Sequence, residues 1–178
     1  MKPKLEITYV HGFRSNFDAS KPKMQALSKL GHVSGPQIDY EKDTLAEIDD
    51  KVCAVRPIGD LIVGTSMGAW VAMHYGIKYG FPFVAINPVL DPRETTVVWN
   101  RIKDVCDYYP FLTSGERCGL VLLDSGDVTL DSKVTYEKLN RHYHTEVFQG
   151  GSHRFDHMPE SIEIINSFIN NETICYGL

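Results

Sequence analysis

Residues 61–70, LIVGTSMGAW, place a serine between two glycines directly after an apolar run. A serine hydroxyl attacks a carbonyl only when a histidine removes its proton. The histidine in turn needs a carboxylate to fix its tautomer and stabilise its charged form. Candidates for both lie downstream, Asp127 in LLDSGDVTLD and His153 in GGSHRFDHM. Average Gly and Ser usage produces Gly-x-Ser-x-Gly by chance in about one chain of this length in twenty, so the motif alone decides little. Serine, acid and histidine in that order, each at the end of an apolar run, are a much rarer coincidence. The chemistry expected is acyl transfer, with Ser66 as nucleophile, His153 as base and Asp127 as the orienting acid.

Such a nucleophile sits on a strained strand-to-helix turn, and the residues two before and two after it must lack bulk. Gly64 and Gly68 meet that requirement. The following helix offers backbone N–H groups at its positive end, where a developing oxyanion is stabilised. The donors expected are the N–H of Met67, which follows the nucleophile, and that of Phe13 in the loop after the first run.

Other residues compete for these roles. Asp124 lies inside an apolar run, and Asp131 suits a helix cap, Asp131 being the next candidate for the acid after Asp127. His157 is the competing base. His142 and His144 precede the last apolar run, and His11 belongs to the first loop, where a turn-shaping role is expected. His153 and His157 at i and i+4 would suit a metal only if both were helical, and Gly150-Gly151 indicates a loop, so no metal and no cofactor is expected.

Five apolar runs must position these groups: residues 5–10, 60–64, 81–86, 119–124 and 145–149. None alternates cleanly between apolar and polar, as expected of parallel strands covered on both faces. Residues 32–38, broken by Gly35 and Pro36, suit a short edge strand. Helical spacing marks 21–30, 44–55, 67–79, 131–142 and 158–170. Strand–helix alternation predicts one α/β domain over residues 1–178, a doubly wound, mostly parallel sheet of about six strands with helices on both faces. Ligands bind such sheets at the carboxyl ends of the strands, where Ser66, Asp127, His153 and the His11-Gly12-Phe13 loop fall.

The 178 residues carry a net charge of −5 with no compensating basic face, which argues against a nucleic-acid or anionic-membrane partner. No run approaches the ~20 apolar residues of a membrane span, and the N-terminus lacks a signal-peptide core, so no membrane insertion is expected. The four cysteines (Cys53, Cys106, Cys118, Cys175) form no Cys-x-x-Cys pair and suit reduced thiols in a cytoplasmic protein. Nothing in the sequence fixes an oligomeric state.

The segments YVHGFRSNFDASK, GTSMGAWVA, INPVLDP, LLDSGDVTLD and GGSHRFDHM resemble the α/β-hydrolase superfamily. More closely, they resemble the small bacterial YqiA/YcfP-type esterase family, over about residues 7–169. The resemblance implies an α/β-hydrolase fold with little or no lid and esterase or thioesterase activity on short acyl groups. It carries the nucleophile to Ser66, the acid to Asp127 and the base to His153. Val128 stands where that family usually has an acidic residue. Trp99, Tyr108, Tyr109 and Phe111, between Asn87-Pro88 and the run at 119–124, are expected to pack rather than form a substrate cage. The substrate expected is a small acyl ester or thioester. The alternatives are a catalytically silent binding module on the same fold, or an acyltransferase using the same nucleophile.

Overall fold

In the run LIVGT, Leu61 and Val63 pack into one core and Ile62 into the other. This explains why the runs do not alternate between apolar and polar: both faces of each central strand are covered. The same division recurs at Val84 and Ile86 against Phe83 and Ala85, and at Leu120 and Leu122 against Val121 and Leu123. The computed structural model describes residues 5–55, 60–92 and 119–172.

The elements are β1 (Leu5–Val10), α1 (Pro22–Leu27), β2 (Gly31–Ser34), α2 (Leu45–Ala54), β3 (Leu61–Thr65), α3 (Met67–Tyr79), β4 (Phe83–Ile86), β5 (Gly119–Asp124), α4 (Ser132–Leu139), β6 (His144–Phe148) and α5 (Met158–Glu172). The strands form one sheet in the order β2-β1-β3-β4-β5-β6, and every pairing is parallel. The "mostly parallel" sheet of the sequence reading is therefore wholly parallel among the described residues. One core lies between the sheet and α2, α3 and α4, with Ile48, Val52, Trp70, Met73 and Leu139 buried in it. The other holds Met24 and Leu27 of α1 with Ile165 and Phe168 of α5. The expected doubly wound arrangement is observed.

Local chemistry sets the boundaries. Thr44 and Glu47 form a reciprocal capping box that starts α2. Ten consecutive residues of α3, Met67 to Gly76, are buried, and Gly80 ends the helix with a left-handed φ of 74°. The strand expected over 32–38 stops at Ser34, before Gly35-Pro36, and lies at the sheet edge paired only with β1. The strand expected over 81–86 begins at Phe83, after Pro82, which has no N–H to give the ladder. The helix expected over 21–30 is shorter, Pro22–Leu27. β6 covers the other sheet edge and is largely unburied, unlike the central strands.

Trp99, Tyr108, Tyr109 and Phe111 lie outside the described residues, as do Cys106, Cys118 and Cys175 and most of the stretch on which the expectation of little or no lid rests. Cys53 is exposed and free. Among the described residues no helix is long and apolar enough to cross a membrane.

Candidate active site

After β1 the chain runs to β2 on one side, and after β2 it returns to β3 on the other side of β1. In open parallel sheets that reversal opens a crevice at the strands' carboxyl ends. Ser66 occupies it, between β3 and α3. Its φ of 58° and ψ of −119° lie outside the regions an L-residue ordinarily adopts. The strain is held by packing: a Cβ on Gly64 would lie 2.0 Å from Gly68 O, and one on Gly68 would lie 2.0 Å from Val10 O. The two glycines of the motif thus let β1, β3 and α3 converge at one point. Ser66 N donates to Ile86 O at 3.0 Å, anchoring the turn to β4.

The structure brings Ser66, His153 and Asp127 together. Ser66 Oγ is 2.9 Å from His153 Nε2, and His153 Nδ1 is 2.7 Å from Asp127 Oδ2. A carboxylate only accepts, so Nδ1 carries the proton and Nε2 is left to accept from the serine hydroxyl. Asp127 Oδ1 accepts from the N–H groups of Thr129 and Leu130, at 2.8 and 3.0 Å. Those two bonds fix the carboxyl group and leave Oδ2 for the histidine. The Asp127 side chain is only 1% exposed, whereas the neighbouring Val128 is 98% exposed.

The competing candidates are accounted for separately. Asp131 caps α4, accepting from Lys133 N and Val134 N. Asp124 and His157 pair with each other, Oδ1 to Nδ1 at 2.7 Å. Residues 149–157 are not helical, so His153 and His157 do not share a helix face; each ring turns to a different carboxylate. His144 begins β6 and bonds Glu146.

Met67 is the first residue of α3, so its N–H has no partner within the helix. Phe13 follows Gly12, and a Cβ on Gly12 would lie 3.2 Å from Ser66 Cβ, so the first loop packs directly on Ser66. His11 shapes that loop, as expected of it. Its Nε2 accepts from Ile38 N at 3.0 Å, so its Nδ1 carries the proton and donates to Gly12 O at 2.9 Å. Burial pushes the His11 pKa below its ordinary value, with the Gly12 bond opposing. Tyr40 donates its hydroxyl to His11 O at 2.7 Å.

Two positions lacked assigned roles in the sequence. Asn87 Oδ1 accepts from Asp124 N, and its Nδ2 donates to Ser152 O and His153 O, at 3.1 and 3.3 Å. It ties β4, β5 and the histidine loop, with a φ of 41°. Asp124 Oδ2 accepts from Ser152 N and Asp156 N, at 3.1 and 2.9 Å. The signal for Asp124 was a carboxylate closing an otherwise apolar run, since a buried charge requires partners. For Asn87 it was only its place at a strand end.

Comparison with known proteins follows the same lines. Residues 6–102 match the sequence pattern of the uncharacterised protein family UPF0227. The UPF0227 protein YcfP of Escherichia coli O9:H4 (strain HS) is 26% identical over 181 residues, covering 91% of this chain and 97% of its own. Est1E from Butyrivibrio proteoclasticus, with ferulic acid bound, superposes with a TM-score of 0.71 at 11% identity, over 97% of this chain and 90% of its own. A monoacylglycerol lipase of Paleococcus ferrophilus gives 0.67 at 14% identity, over 94% and 95%. The chain belongs to the UPF0227 family, and its fold is that of the α/β-hydrolases.

Proposed function

We propose that this protein is a serine hydrolase that cleaves a small carboxylic ester or thioester through an acyl-enzyme on Ser66. The observation that carries the reading is the continuous hydrogen-bonded chain from Ser66 Oγ through the His153 ring to Asp127 Oδ2, at 2.9 and 2.7 Å. A lipase and a carboxylic-acid-binding protein among the structures of like fold favour the same substrate class.

In the mechanism, Ser66 Oγ attacks the acyl carbonyl carbon while its proton passes to His153 Nε2. Asp127 stabilises the resulting imidazolium without taking its proton. The carbonyl oxygen becomes an oxyanion, stabilised in this reading by the Met67 and Phe13 N–H groups. Collapse expels the alcohol or thiol, which leaves with the proton from His153. Water then attacks the acyl-enzyme, His153 again serves as base, and the acid departs. No cofactor enters any step.

Ser66→Ala is expected to lower hydrolysis of a short p-nitrophenyl ester by on the order of 10⁴-fold or more. Steady-state rates on matched preparations check this, together with labelling of Ser66 by a fluorophosphonate probe. A binding module would leave the probe unreacted, and near-full turnover by the alanine variant would sink the reading. Product analysis with added alcohols or amines separates hydrolysis from acyl transfer.

A further inference from the structure

Lys23, in the first turn of α1, is a half-buried cation that the acyl-transfer steps do not use. Its Nζ donates to Thr65 Oγ1 at 3.2 Å and to Arg154 O at 2.8 Å. Thr65 immediately precedes the nucleophile, and Arg154 immediately follows the histidine. One ammonium group therefore joins the two segments whose separation sets the 2.9 Å contact between Ser66 and His153. Thr65 Oγ1 also meets Tyr9 Oη at 3.0 Å, which connects the same node to β1. Asn87 holds the histidine loop from the β4 end through Ser152 O and His153 O. Lys23 reaches the loop from α1 and, unlike Asn87, also holds the turn before the nucleophile through a side chain.

We infer that Lys23 is a positioning residue for acyl transfer, tying the nucleophile turn to the histidine loop so that Ser66 Oγ and His153 Nε2 stay within proton-transfer distance. The inference rests on the serine-hydrolase reading above. Its physical basis is the steep dependence of proton transfer on geometry, where a misplacement of about 1 Å costs on the order of 100-fold. A lysine suits the task because one nitrogen carries three donors on a stem long enough to cross from helix to sheet end.

The charge of Lys23 offers a signature that packing alone would lack. Burial pulls its pKa down to about 8. Asp124 at the end of β5 and Asp156 before α5 favour the charged form, while Lys21 opposes it. His157 already pairs with Asp124, and burial raises the Tyr9 pKa, so that phenol does not titrate near pH 8. As pH rises through about 8, the ammonium becomes an amine and its two bonds lose their charge assistance.

The test uses the full chain with a short p-nitrophenyl ester, after fluorophosphonate labelling of the parent protein has shown a reactive Ser66. Lys23→Met keeps the apolar stem and removes the donors. It is expected to lower kcat by roughly 10- to 100-fold with KM within about two-fold, and Lys23→Arg is expected to recover much of the loss. The parent kcat should decline as pH rises through about 8, and that decline should be absent in both variants. Thr65→Val removes the other end of the tie while conserving volume, and its loss should be less than additive with that of Lys23→Met. It also serves should Lys23→Met fold poorly. Unchanged kcat in Lys23→Met or Thr65→Val overturns the inference and leaves the hydrolase reading standing. So does a loss that is fully additive and shows no difference in pH profile. A parent protein that neither labels nor turns over overturns both.

Discussion

Two aspartate–histidine pairs lie side by side at the carboxyl end of β5, and among the described residues only one of them has a serine hydroxyl on its imidazole. Asp127–His153 and Asp124–His157 have the same Nδ1-to-carboxylate distance, 2.7 Å. Their carboxylates are equally hidden, at 1% and 0% exposure, and their imidazoles equally open, at 26% and 25%. What separates them is what else each member touches. His153 Nε2 faces Ser66 Oγ, whereas the His157 ring stacks on Phe148, 5.2 Å between centroids and 14° apart in plane. Asp127 spends its second oxygen on its own turn, while Asp124 spends its second on the backbone of the loop that carries His153. A hydrogen-bonded pair of this kind is thus not a chemical role in itself. The third partner distinguishes a proposed proton relay from a strut that holds it.

The sharpest way to break this comparison is to remove each histidine. His153→Ala is expected to lower ester hydrolysis by on the order of 10⁴-fold or more with the fold retained. His157→Phe, which keeps the stack on Phe148, is expected to cost less than about ten-fold. Steady-state kinetics with circular dichroism on both variants measures the contrast, and equal losses would dissolve it.

Exchanging the acids gives the next effect. Asp127→Asn should lower kcat by about 10⁴-fold, because an amide no longer selects the histidine tautomer. Its thermal midpoint should also fall, since its carboxylate is as buried and as paired as that of Asp124. Asp124→Asn should cost a similar amount of stability, about 3 kcal/mol from breaking a buried pair, with a much smaller kinetic loss through slack in the histidine loop. Chemical denaturation read against kcat separates the two, and a purely kinetic effect at Asp124 would assign it a place beside the reacting atoms.

His11 provides the smallest effect and the control for both pairs, since among the described residues it has no carboxylate partner. Its pKa is lowered in the fold, so the unfolded chain takes up a proton at a higher pH than the native one does. Stability from this group is present above the unfolded value of about 6.5 and is lost as pH falls below it. The slope of unfolding free energy against pH, just below 6.5, should flatten in His11→Asn. An unchanged slope would mean that burial of the His11 ring does not lower its pKa in the fold.

Much of this is legible in the sequence. The apolar runs and helical spacings determine the strand–helix alternation, because only strands covered on both faces tolerate such unbroken apolarity. Gly64, Ser66 and Gly68 determine a turn too tight for side chains on either flank. The order of serine, acid and histidine points to Ser66 and His153 with Asp127 ahead of Asp131 as the acid, Asp131 also suiting a helix cap. What only the tertiary structure decides is which carboxylate meets which histidine. Asp124 and Asp127, like His153 and His157, lie within a few residues of each other, and local sequence gives neither ring a direction. That choice comes from the parallel register of β5 and β6, from Asn87 reaching across from β4, and from Lys23 crossing from α1. The Asn87 and Lys23 contacts join residues 65 to 131 positions apart in the chain, so no local pattern encodes them.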